Sequence, residues 1–188
     1  MFRLFAKRDP VLHSEKKDGI DMKSVELLLG ITQSEYNNEY ERTNMIQSKA
    51  GIALPIIAAY FLTIAQMNDY KSMFQVTVTT VRDILLSFGL CVSYSLALIL
   101  AIAAVFFVAR VEFAKGYKRI NPQSFCKEAS LSQEYQSFVR NLMHQYFDAI
   151  DHNAKANDQK MKMYKQGWSC TFVSVACFLA YVILKNNS

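Results

Sequence analysis

Apolar residues are gathered in three blocks without charge, while almost all charged residues lie between the blocks. The blocks run from about Ala50 to Met67, from about Ile84 to Ala109 and from about Trp168 to Leu184. A helix of roughly 20 apolar residues crosses a hydrocarbon core of about 30 Å. Only helices and closed barrels satisfy their backbone hydrogen bonds in lipid, and segments this apolar favour helices. The pattern therefore predicts an all-α membrane protein with three transmembrane helices.

Two polar segments, residues 1–49 and 110–167, predict a small helical part outside the membrane. In residues 22–49 only Gly30 opposes helix formation, so this helix is expected to continue into the first span of a hairpin that covers residues 50–109. The second segment carries an apolar stripe at helical spacing and is expected to continue into the last span, which ends with a short tail at residue 188. The predicted packing residues of this stripe are Leu131, Tyr135, Phe138, Leu142, Tyr146 and Ile150.

These apolar side chains need a partner, which is either the N-terminal helix of the same chain or another copy of the chain. Residues 153–165, in contrast, are polar on all sides, and this pattern predicts a solvated face next to the membrane.

Small residues recur at every fourth position of the second block, at Gly89, Ser93, Ala97 and Ala101. This spacing places all four on one face of a helix and lets a second helix approach closely. The stripe predicts a helix interface. A contact between subunits is preferred here over packing within the chain.

The average composition does not separate this chain from a soluble protein, since 52% of its residues are hydrophobic and the net charge is +5. The distribution of Lys and Arg is more informative. Eight precede the first block, two lie in the short loop, ten lie between the second and third blocks, and one follows the third. The positive-inside rule then places the N-terminus and residues 110–167 in the cytoplasm and the C-terminus outside. Contact with lipid headgroups explains the basic excess better than nucleic-acid binding does.

No phosphate-binding loop or catalytic motif is present, and the four cysteines match no zinc or redox spacing. His144, Asp148 and His152 share one helix face, but the two histidines would lie about 12 Å apart along the axis, too far to bind one ion. We therefore expect no metal, no cofactor and no enzymatic activity. The spans also lack ionisable residues, which argues against a proton-coupled transporter but leaves a water-filled pore open.

A resemblance to known families is carried by the polar residues next to the first and last spans. These are the run RTNMIQSKAG at positions 42–51 and Asn153, Asn157, Asp158 and Lys160. The layout resembles small bacterial inner-membrane proteins of the SLATT and Pycsar transmembrane-effector type, in which a Lys-Ala pair such as Lys49-Ala50 commonly precedes the first span. It is also similar to the RipA-type family of small oligomeric inner-membrane proteins.

The first resemblance implies disruption of the membrane after activation by a nucleotide signal or a partner. The second implies a homo-oligomer with a role in envelope or stress adaptation. Together with the small-residue stripe, they favour a homo-oligomeric protein of the bacterial cytoplasmic membrane that acts as a pore or a regulated effector. The alternative is a non-enzymatic scaffold or regulator that docks a cytoplasmic protein. The expected partners are membrane lipid and further copies of the chain, and no nucleic acid is expected.

Overall fold

The computed structural model describes residues 22–67, 80–114, 116–121 and 135–186. Within these ranges the chain forms three helices and no strand. The helices are α1 (Met22–Gln66), α2 (Val81–Phe113) and α3 (Tyr135–Asn186). All three are long and apolar enough to cross a membrane. The prediction of an all-α membrane protein is confirmed.

Two of the helices are much longer than a bilayer is thick. The 45 residues of α1 extend over about 68 Å and the 52 residues of α3 over about 78 Å, against a hydrocarbon core of about 30 Å. Each therefore has a part in the membrane half of the bundle and a part in a polar half, which we define as residues 22–49, 116–121 and 135–167. The expected continuity of the polar helices into the spans is confirmed, and α1 passes through Pro55 without interruption.

The start of α2 is fixed by a capping box. The Thr80 side chain accepts a hydrogen bond from the backbone N–H of Asp83 at 3.3 Å, and the Thr80 N–H donates to Asp83 Oδ2 at 2.9 Å. The helix then continues to Phe113, so it is longer at both ends than the predicted span of residues 84–109. Beyond the extended residue Ala114, residues 116–121 have no regular structure and are called the linker below.

The core of the bundle is built on one face of α2. The buried residues of this face alternate between spacings of three and four, which is the heptad pattern of helices that pack side by side. Small side chains occupy the centre of this face, so α1 and α3 can approach α2 closely. The buried residues of α2 are Leu90, Tyr94, Ala97, Ala101, Ala104, Val108 and Val111.

Large apolar side chains cover the outside of the membrane half. Leu85, Phe88 and Ile99 of α2 and Phe172 and Ile183 of α3 are all more than half exposed. A soluble protein rarely exposes a continuous apolar surface of this kind. The membrane half therefore has small residues at the centre of the buried α2 face and large apolar residues on its outside, as expected for helices whose solvent is lipid.

The helices α2 and α3 approach each other closely at Gly167. A Cβ atom at this position would lie 2.5 Å from Val108 Cγ2 and 3.3 Å from the carbonyl oxygen of Ala104. Gly51 of α1 is different, because a Cβ atom there would meet no atom within 4 Å. The absence of a side chain at Gly167 thus sets the distance between the two helices.

We expect Gly167→Ala to destabilise the bundle by about 1–2 kcal/mol. The clash with Val108 costs about 1–3 kcal/mol, and the better helix propensity of alanine returns only part of this. The matched control Gly51→Ala should be neutral or slightly stabilising. Thermal unfolding in mild detergent, followed by the fluorescence of Trp168, measures both variants. Equal gains in stability for the two would contradict the described contact.

Candidate functional site at the polar end of the bundle

The side-chain amide of Asn157 joins α3 to α1 in the polar half. Its Nδ2 donates to the backbone carbonyl of Glu39 at 3.0 Å and to Glu39 Oε2 at 2.7 Å. The hydroxyl of Thr43 lies 2.9 Å from both Asn157 Oδ1 and the Glu39 carbonyl and can donate to either. Asn157 is only 1% exposed, and a buried amide is stable only when it is hydrogen-bonded. Its partners lie within two turns of α1, so this one residue fixes how the two helices align.

Ion pairs lie at the solvent-facing edge of this contact. Arg42 Nη2 is 2.5 Å from Asp158 Oδ1, and Arg42 Nη1 is 3.4 Å from Glu39 Oε1. Partial burial acts to lower the pKa of the Arg42 guanidinium, but the hydrogen bonds and charges of Asp158 and Glu39 outweigh it and raise this pKa. The Asp158 side chain is 71% exposed, so its pairing with Arg42 contributes at most about 1 kcal/mol. The buried amide, rather than the ion pair, carries most of the stability of the contact.

The linker is held between the same two helices. The backbone N–H of Lys118 donates to Asn153 Oδ1 at 2.7 Å, and Asn153 Nδ2 donates to the Lys118 carbonyl at 3.2 Å. The Tyr36 hydroxyl of α1 donates to the same carbonyl at 3.4 Å, and the Tyr117 hydroxyl donates to the Tyr36 carbonyl at 3.0 Å. Burial is the main cause that raises the pKa of the Tyr117 hydroxyl, so this group stays a donor at neutral pH. Side chains of α1 and α3 thus replace regular secondary structure in satisfying the linker backbone.

Lys160 lies on the same face of α3 as Asn157 and is only 2% exposed. Among the residues that the structure describes, we find no hydrogen bond or ion pair of its ammonium group. The aliphatic part of the Lys160 side chain therefore packs inside the bundle beside the contact that Asn157 makes. The expectation that residues 153–165 form a solvated face is wrong for Asn153, Asn157 and Lys160, because these side chains point into the bundle. The three residues are four and then three positions apart, which is the spacing of one helix face, and this pattern indicates the buried face in the sequence.

In the membrane half, polar contacts join all three helices without any charge. The Ser174 hydroxyl of α3 donates to the Ala97 carbonyl of α2 at 2.6 Å, and the Tyr60 hydroxyl of α1 lies 3.1 Å from Ser174 Oγ. Because Ser174 has a single hydroxyl proton, Tyr60 is the donor in the second contact. The Tyr94 hydroxyl donates to the Ile64 carbonyl at 3.0 Å. Hydrogen bonds of this kind orient membrane helices at a modest gain in stability.

The predicted small-residue stripe lies partly inside the chain. Ala97 and Ala101 are fully buried against the chain's own helices. Gly89 and Ser93 are half-buried, and a Cβ atom at Gly89 would lie 3.5 Å from Leu184 Cδ1. The preference for a contact between subunits is therefore wrong at the two alanines, because α1 and α3 already occupy that face.

The predicted packing residues of the polar half lie beside the buried face of α3 rather than on it. Tyr135 is exposed, and Leu131 lies outside the described residues. Tyr146 contacts Tyr36 of α1, with ring centroids 5.5 Å apart in an edge-to-face geometry. The fully buried positions are smaller or more polar than expected. Four of the predicted residues are half-buried, namely Phe138, Leu142, Tyr146 and Ile150. The residues that α3 does bury in the polar half were not in the predicted stripe, and they are Val139, Ala149, Asn153, Ala156, Asn157 and Lys160.

His144, Asp148 and His152 are all exposed on α3. In the described part of the chain, no group of three His, Cys, Asp or Glu side chains is placed to hold a metal ion. Cys91, Cys170 and Cys177 are free thiols in the membrane half, and Cys126 lies outside the described residues.

Comparison with protein-family models, with curated proteins and with solved structures found no match to this chain. The resemblance to small membrane effectors therefore rests on the residues that carry it. Four of these residues, Arg42 and Thr43 before the first span and Asn157 and Asp158 before the last, form the contact between α1 and α3. The geometry is that of a polar clasp between two membrane-spanning helices, and we use "clasp" below for Glu39, Arg42, Thr43, Asn157 and Asp158.

We expect Asn157→Asp to destabilise the bundle by about 2–3 kcal/mol at pH 7.5, because a new carboxylate would face Glu39 Oε2 where Asn157 Nδ2 now donates. Folding would raise the pKa of the introduced carboxyl group, so the folded state would bind a proton more readily than the unfolded state. The lost stability should therefore return as the pH falls towards 5.

The matched control is Asp158→Asn, which removes a charge from the exposed edge of the clasp and should cost less than about 1 kcal/mol. Thermal unfolding of both variants and the parent chain at pH 7.5 and pH 5 provides the comparison. A loss for Asn157→Asp that is independent of pH would argue against a buried contact with Glu39.

Proposed function

We propose that this chain is a homo-oligomeric membrane protein, without enzymatic activity, that acts on the membrane itself as a pore or a regulated effector. The resemblance to small bacterial inner-membrane proteins supports a location in a bacterial cytoplasmic membrane, and the distribution of Lys and Arg favours a polar half in the cytoplasm. The observation that carries it is an uncovered apolar face on α1, far from the membrane.

This face is formed by Leu27, Leu28 and Ile31, which are 67%, 43% and 52% exposed. Ile31 is 19 residues from Ala50, where the apolar segment begins, and this spacing corresponds to roughly 28 Å of helix. The hydrocarbon core therefore does not cover these side chains. The buried side of α1, with Thr32 and Thr43, already faces the rest of the bundle.

A second copy of the chain is the proposed occupant of this face. Residues 1–49 carry eight acidic and eight basic side chains, so two copies of this segment attract or repel each other little overall. A symmetric pairing of α1 with α1 buries the same three apolar residues on both copies. A cytoplasmic protein partner, as in a scaffold, is the alternative occupant, and a monomeric chain would favour it.

Regulation is supported by the form of the clasp. It joins α1 and α3 outside the membrane, and both helices continue without a break into their spans. A change in the alignment of the two helices at the clasp would therefore be transmitted to the membrane half. The clasp contains four of the residues on which the resemblance to SLATT-type effectors rests, which supports the same interpretation.

We expect Leu27→Glu combined with Ile31→Glu to dissociate the oligomer. Charged side chains at the centre of an apolar interface leave buried charges unpaired, so association should weaken at least a hundredfold. Light scattering in mild detergent, corrected for the bound detergent, gives the mass of the protein complex. Dye release from vesicles that contain the protein then reports whether the intact oligomer permeabilises the membrane.

Gln33→Glu combined with Asn37→Glu is the matched control, because it adds two acidic residues on another exposed flank of α1. This variant should keep the mass and the dye release of the parent chain. A parent chain that is monomeric in mild detergent would refute the proposed oligomer. An oligomer that releases no dye would refute the action on the membrane.

A further inference from the structure

A groove of about 560 Å³ lies between α1 and α3 on the outer side of the clasp. Its α3 wall is a single stripe at helical spacing, which runs from Asp158 to Ser169 over roughly 16 Å. Arg42 lines the groove from the α1 side. The lining residues are Arg42, Asp158, Met161, Lys162, Lys165, Gln166 and Ser169.

The polar side chains of the groove are mainly hydrogen-bond donors and cations. Arg42, Lys162 and Lys165 are cationic, and Asp158 is the one acidic residue among the lining side chains. Lys162 and Lys165 are three residues apart on the same face, and side chains at this spacing are neighbours on a helix. Neither has an ion-pair partner among the residues that the structure describes. Two adjacent lysines repel each other, and an anion between them would remove this repulsion.

The groove opens where the polar half meets the membrane half. Tyr164 and Trp168 lie at the same level of α3 on another face of the helix, with ring centroids 6.4 Å apart, and Trp168 begins the last apolar segment. Tyrosine and tryptophan are enriched at the level of lipid headgroups. The lysines of the groove therefore stand at the height at which a bilayer presents its phosphate groups.

We propose that this groove binds a phosphate group at the membrane boundary, such as an anionic phospholipid presents, between Lys162, Lys165 and Arg42. The Gln166 amide and the Ser169 hydroxyl supply further donors along the same wall. This site does not depend on the proposed oligomer, since all of its residues belong to one chain.

Binding at this site competes with an existing contact. Arg42 Nη2 now pairs with Asp158 Oδ1 at 2.5 Å, and a phosphate in the groove would attract the same guanidinium. Occupancy of the groove would therefore weaken the Arg42–Asp158 pair at the edge of the clasp. Removal of the Asp158 charge should, in turn, strengthen phosphate binding.

The first experiment titrates the purified full chain in mild detergent with dioctanoyl phosphatidylglycerol and counts the bound lipids by native mass spectrometry. Lys162→Gln combined with Lys165→Gln should weaken this binding about tenfold or more, because each lysine near a phosphate contributes several-fold to affinity. Asp158→Asn should tighten binding several-fold. Dioctanoyl phosphatidylcholine, which has no net charge, should bind the parent chain more weakly.

The matched control is Lys49→Gln combined with Lys155→Gln, which removes two exposed lysines that do not line the groove. It should leave phosphatidylglycerol binding within about twofold of the parent chain. An equal loss in the two double variants would overturn the proposal, and so would unchanged binding in Lys162→Gln combined with Lys165→Gln. If that double variant does not fold, Lys165→Gln against Lys49→Gln makes the same comparison.

A second titration distinguishes the two sources of phosphate. Glycerol 3-phosphate presents the group without acyl chains. Displacement of the bound lipid by this compound at comparable concentrations would assign the groove to a soluble phosphate ligand. Lipid binding that resists a large excess of it would assign the groove to a phospholipid headgroup. Binding of neither probe to the parent chain would refute the site.

Discussion

A buried side-chain amide needs a partner for each of its polar atoms, and Asn157 finds its partners on α1. A slip of one helix along the other would leave its amide without hydrogen bonds inside the bundle and would remove the bond that Asn157 donates to Glu39 Oε2. Apolar side chains tolerate such a slip much better, because hydrophobic contact has no direction. The alignment of α1 and α3 therefore depends on this contact more than on the apolar residues around it, and the rest of the polar half is arranged around it. Asn153 fixes the linker one turn away, and Arg42 and Asp158 close the outer edge.

The membrane half follows a different physical rule. Lipid offers no hydrophobic driving force between helices, so close packing and a few hydrogen bonds hold the spans together. Gly167 lets α3 approach Val108 of α2, and Ser174 donates to the Ala97 carbonyl further along the same contact. Neither of these two contacts involves a charged side chain. Because α1 and α3 are continuous, the polar half and the membrane half move as parts of the same rods. Under the proposed function, a change at the clasp would alter how the spans are arranged, and a phosphate in the basic groove beside it would compete for Arg42.

The spans could be predicted from sequence because long runs of apolar residues without charge are rare outside membranes. The continuity of α1 and α3 could be predicted too, since no strong helix breaker separates the polar segments from the spans. The clasp could not be predicted from sequence, because Thr43 and Asn157 are 114 positions apart. A prediction from hydrophobic periodicity also assigns polar residues to the solvent-exposed face. For the same reason the predicted stripe with Leu142 and Ile150 missed the face that contains Asn153 and Lys160. The small-residue stripe indicated close packing at Ala97 and Ala101, but spacing alone does not show whether the neighbouring helix belongs to the same chain.

Cross-linking in the native membrane tests the central claim, which is that the clasp aligns α1 and α3 within one chain. Arg42→Cys combined with Asp158→Cys, in a chain without its four natural cysteines, leaves Asn157, Thr43 and Glu39 intact. A short thiol-specific reagent should cross-link this pair within single chains, and should cross-link Arg42→Cys with Asp151→Cys, about two turns away, much less. Co-expression of the two single variants should give no cross-linked dimer. Equal cross-linking of both pairs, or cross-links only between chains, would contradict this alignment of the two helices.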